Sequence, residues 1–135
     1  MEYPKVWIDP EGIVHIDCGQ RPRMGLEDMQ RALERHRALT GVARPVLLSG
    51  LDPLRVDHAV ERFASTPEVC ALTAASALLV KSAWARILGE MFLFYHHPPY
   101  PSHLFTDREE ALAWLRGFLR EGDGLEGPAG AEPKG

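Results

Sequence analysis

The chain has 135 residues, 45% of them apolar and 25% charged, with a formal net charge of −4. That length is about one domain with room for a real core, and the composition is that of an ordinary globular protein. The acidic balance, with arginines interleaved among acids, argues against nucleic acid, which needs a basic face, and no apolar run approaches the roughly 18 residues of a membrane span.

The two cysteines, Cys18 and Cys70, lack CxxC spacing and read as thiols in a reducing cytosol rather than as a disulfide. The opening Met1–Lys5 has no basic-then-apolar order of a secretory leader, so a cytoplasmic location is expected.

In chain order, Lys5–Ile8 and Ile13–Ile16 are β-rich runs separated by Asp9-Pro10-Glu11-Gly12. Proline presets one dihedral of that connection, glycine permits a positive φ and aspartate can bond the turn backbone, so an antiparallel hairpin is predicted. A helix is predicted from about Gly25 to Leu39, with Leu26, Met29, Leu33, His36 and Leu39 on one face and a Glu27–Arg31 pair outside. Gly41 ends it. Pro45–Ser49 reads as a short buried strand, followed by a loop through Gly50–Leu54 and a helix from about Arg55 to Ala64. Ser65-Thr66-Pro67 breaks that helix, and Glu68–Thr73 can add one further turn.

The clearest signals lie between Ala74 and Leu119. Ala74–Val80 is an apolar strand. Ser82 opens a helix with apolar residues at Trp84, Ile87, Leu88, Met91, Phe92 and Tyr95. After a proline-rich turn, the strand His103–Thr106 leads into a helix whose expected capping box is Thr106 with Glu109. That helix turns Ala111, Leu112, Leu115, Phe118 and Leu119 inward. The order β-β-α-β-α-β-α-β-α implies one layered α/β domain over residues 1–121, on the border with α+β. Its four- or five-stranded sheet is mostly parallel after an antiparallel start. Residues 122–135 are rich in glycine and proline and read as a disordered tail.

Few positions point to chemistry. His96, His97 and His103 could serve as metal ligands, but adjacent residues diverge and no carboxylate or thiol stands at ligand spacing. Histidines there also suit a helix C-terminus. Ser49 ends a central strand, where open α/β sheets place ligands and modifications, so it is a candidate phosphoacceptor. Asp57, His58 and Glu61 read as a solvated face, and Arg21-Pro22-Arg23 is a weak anion clamp. Met91-Phe92-Leu93-Phe94-Tyr95 is different. Packing on a sheet needs only Met91, Phe92 and Tyr95 inside, so this helix carries surplus apolar surface for an interface or an apolar ligand.

The succession Arg62-Phe63-Ala64, Ala71-Leu72-Thr73 with Ala74–Val80, Leu104-Phe105-Thr106-Asp107 and Glu110-Ala111-Leu112-Ala113-Trp114-Leu115 resembles the STAS-like, SpoIIAA-like group of small bacterial STAS/SEC14-like domains. The resemblance spans about residues 5–120. It implies a sheet flanked by helices and a non-enzymatic role in binding partner proteins. In some STAS domains a serine in an Asp-Ser-Ser-Gly-type motif after a central strand is phosphorylated. The corresponding Leu48-Ser49-Gly50-Leu51-Asp52-Pro53 keeps Ser49 near that place without the Asp-Ser pair. SEC14-like relatives imply an apolar ligand between helices and sheet.

The expectation is therefore a bacterial regulatory or scaffold domain acting by protein–protein contact, as a homodimer, with no cofactor or metal and with a protein partner the sequence does not name. Its candidate contacts are Trp84, Ile87, Met91, Phe94 and Tyr95. The alternatives are a small apolar-ligand (lipid-like) binding protein and, more remotely, a metal-assisted hydrolase using His96, His97 and His103.

Overall fold

The computed structural model describes residues 4–19, 25–50 and 58–119. The strands are β1 (Lys5–Ile8), β2 (Val14–Asp17), β3 (Arg44–Ser49), β4 (Thr73–Leu79) and β5 (Ser102–Phe105). The helices are α1 (Leu26–Leu39), α2 (His58–Phe63), α3 (Pro67–Leu72), α4 (Ala83–His96) and α5 (Arg108–Arg116). The five strands lie side by side in sequence order, with β1 antiparallel to β2 and all later pairs parallel. The domain is thus α/β, a mixed sheet with an N-terminal hairpin and flanking helices.

The hairpin forms for the chemical reasons its turn residues supply. Asp9 Oδ1 accepts the Glu11 and Ile13 amides at 2.9 and 3.1 Å, and Gly12 takes a φ of 98° that a Cβ would oppose. The turn sets the register that opposes Ile8 to Val14.

Each later crossover joins neighbouring parallel strands and moves one strand further across the sheet. Such crossovers are right-handed, which places α1, α2, α3 and α4 over one face and leaves the other to α5. The side chains follow the two-residue period of the strands. Val14, Ile16, Cys18 and Val46 pack with Ala32 on the α1 side, while Ile13, Leu47, Ala75 and Ala77 pack with Ala111 and Leu115 on the α5 side. The alanines of β4 and Ala111 let α5 approach closely.

Three local expectations are corrected. The cap of α5 is Asp107, whose Oδ2 accepts the Glu110 amide at 3.0 Å, one residue beyond the expected Thr106 with Glu109. β5 ends at Phe105, so the first carboxylate after the strand is already placed to cap. On α1, Arg31 pairs with Asp28 at 2.6 Å instead of Glu27. Asp28 is fixed by accepting the Gly25 amide at 3.0 Å, and so presents a ready partner. Leu39, the last residue of α1, is exposed, while Ala32 and His36 are buried.

Candidate functional site

α4 is built to be held closely on one side and left open on the other. Ser82 Oγ accepts the Ala85 amide at 3.0 Å and starts the helix. His97 closes it in the left-handed region, φ 46°, its amide bonded to the Leu93 carbonyl at 2.9 Å. Between them, Gly89 lies against β5, and a Cβ at Gly89 would fall inside the Leu104 side chain. One residue on, Glu90 Oε2 accepts the Leu104 amide at 2.9 Å and sits 3.3 Å from His103 Nδ1. β5 is the sheet edge, where open backbone amides invite pairing with other chains. Glu90 covers this one.

That seating decides which face of α4 points outward. Met91 and Tyr95, which the spacing counts both among the inward residues and among the candidate contacts, are 52% and 74% exposed, and Trp84, Ile87 and Phe94 are 67%, 52% and 70% exposed. Leu88, Phe92 and Leu93 are half-buried instead. The helix turns on Gly89, whose lack of a side chain gives no apolar signal in the sequence although it is the point of closest approach. All five candidate contact residues therefore stand on one exposed face. Phe94 meets Tyr95 edge-on at 5.7 Å between ring centroids.

The other candidates do not converge. Ser49 ends β3, is 9% exposed, and accepts the Cys18 amide on its carbonyl at 2.8 Å. His103 stands edge-on to Trp114 at 5.1 Å and beside Glu90, while His97 caps α4. The side chains of His96 and His58, and all of Asp57, Arg21, Arg23 and residues 122–135, lie outside the described residues. Among the described residues no group of three histidine, cysteine or acidic side chains could hold a metal ion. Also among them, no helix is long and apolar enough to cross a membrane. Cys18 and Cys70 form no disulfide.

A feature the sequence reading missed lies under α1, α2 and α3. A cavity of about 90 Å³ is lined by Met29, Val46, Val60, Phe63, His36 and Tyr100, among others. His36 sits on the apolar face of α1, 2% exposed. Burial, then the charges of Arg44 and Arg37, lower its pKa to about 4, so the ring is neutral at neutral pH. The Tyr100 hydroxyl donates to the Ala64 carbonyl at 2.9 Å, and burial, then Cys70, pushes its pKa up to about 12. The available signals were a histidine inside an apolar stripe and a tyrosine within a proline-rich turn.

A layered α/β domain with an apolar helix standing open at its sheet edge is the class that fold and geometry define. The chain belongs to the DUF7793 family, described as a domain of unknown function, whose model matches residues 6–119. Among solved structures, a protein of unknown function from Arthrobacter sp. FB24 is 27% identical, with 85% of this chain and 94% of that one covered and a TM-score of 0.29. No curated protein matches.

Proposed function

We propose that this domain is a non-enzymatic regulatory or scaffold module that acts by protein–protein contact and pairs with a second copy of itself through α4. The observation that carries this reading is the exposed row Trp84, Ile87, Met91 and Phe94, with Tyr95 beside it. The row advances by three, four and three residues, the alternation of a helix–helix seam. By the usual areas of such side chains it offers on the order of 600 Å² of apolar surface. A monomer rarely leaves that much contiguous surface open, and it approaches the roughly 800 Å² per partner of a standard interface.

A second copy suits the row because it is self-complementary. In an antiparallel pair about a two-fold axis, Trp84 of one copy meets Phe94 of the other, and Ile87 meets Met91. The nearest carboxylate, Glu90, is turned to β5 and leaves the seam uncharged. The likeness to STAS-like domains, which typically bind proteins, agrees with the reading. Sedimentation should find a dimer that dissociates in the double variant Met91→Glu, Phe94→Glu, while circular dichroism and melting temperature keep the values of the folded monomer. A wild-type chain that stays monomeric at several hundred micromolar, or a double variant that stays dimeric, overturns it.

A further inference from the structure

The cavity beneath α1, α2 and α3 raises a question separate from pairing through α4. Its wall is mostly carbon, broken by a few polar groups. His36 Nε2 lies sealed from solvent, with no hydrogen-bond partner among the described residues. Native structures complete such groups with water or a ligand. The Tyr100 hydrogen is already given to Ala64, and the wall's other polar side chains are the hydroxyls of Thr73 and Ser76, so the sealed, unmatched atom is His36 Nε2.

Water alone matches only the few polar groups of a mostly apolar wall. The volume of about 90 Å³ exceeds one water's share of roughly 30 Å³, and each buried water needs about two to four polar partners. It is also too small for a lipid chain, since a 150 Å³ cavity is about what benzene occupies. A charged ligand would lose its hydration, and among the described residues no charged side chain lines the wall.

We infer that the cavity is a binding site for a small uncharged amphiphile of about four or five heavy atoms, a short branched alcohol being the type. Its hydroxyl meets His36 Nε2, and its hydrocarbon lies among Met29, Val46, Val60 and Phe63. The neutral ring can donate or accept through Nε2 according to its tautomer, and a hydroxyl answers either.

The test is titration of the full-length labelled protein with isobutanol, and separately with sodium butyrate, followed by nuclear magnetic resonance. Isobutanol should produce saturable shifts in the Leu33, Val46 and Val60 methyls and in the His36 ring nitrogen. His36→Leu should weaken its binding about fivefold, the worth of one ordinary hydrogen bond, and Ala32→Leu should abolish binding by filling the space. No saturable shift, butyrate binding in place of isobutanol, water alone at His36, or undiminished affinity in His36→Leu each overturns the inference. The wild-type titration decides it even where a variant fails to fold. Neither result depends on α4, whose pairing sedimentation reads by itself.

Discussion

α4 packs at the β5 edge of the sheet and α5 over the strands β3 and β4, and both carry an apolar periodicity of helical spacing. α5 uses its periodicity completely. Ala111 and Leu115 are fully buried against Leu47, Ala75 and Ala77, and Trp114 closes the side by packing on Phe105, His103 and Phe118. α4 uses its own only in part, resting on β5 through Gly89 and Glu90 while five large apolar side chains face outward. Periodicity reports that a helix has an apolar face. Whether that face meets its own sheet or something else depends on where the backbone can come closest.

This contrast can be broken at either helix. Leu115→Ala has the largest expected effect, a loss of about 3 kcal/mol in unfolding free energy, from lost transfer and a cavity that α5 cannot close. Denaturant unfolding should give the same loss at every protein concentration. A loss under about 1 kcal/mol would mean that α5 is not the packed helix described.

Gly89→Ala comes next, and its sign is informative. In an unconstrained helix the change gains about 1 kcal/mol. Against the buried Leu104 it should instead cost about 1 kcal/mol through overpacking, with faster hydrogen exchange at the Leu104 amide as Glu90 is drawn away. A stabilised Gly89→Ala protein would show that α4 is not seated on β5 by close backbone approach.

Phe94→Ala should have the smallest effect. At dilutions where pairing is lost it should change stability by under about 0.5 kcal/mol, as an exposed position does. At high concentration the wild type should gain stability over the variant, because association stabilises the folded state by mass action. A concentration-independent loss as large as that of Leu115→Ala would move Phe94 into the core and remove the contrast.

Much of the fold was readable from short-range chemistry. Asp9 and Gly12 announce the hairpin, Pro67 the break before α3, and Ala74–Val80 the central strand. The readings that shifted did so where two local solutions compete, as with Thr106 and Asp107 for the α5 cap or Glu27 and Asp28 for Arg31. The candidate contact row on α4 is readable as surplus apolar surface, but periodicity counts Met91 and Tyr95 both among the contacts and among the inward residues, and only the seating on β5 turns them outward. The cavity was not readable. Its wall joins α1, α2, α3, three strands and the proline-rich turn, so no sequence window contains it.

Sequence alone determined the layered α/β class, the strand order of the hairpin and the presence of more apolar surface on α4 than one sheet consumes. These follow from turn chemistry and periodicity, which act over a few residues. Tertiary structure alone decided that α4 pivots on a glycine, that Glu90 closes the edge of β5, and that His36 faces a cavity with its Nε2 unmatched. Those outcomes depend on how closely two backbones approach and on which residues, distant in the chain, line one pocket.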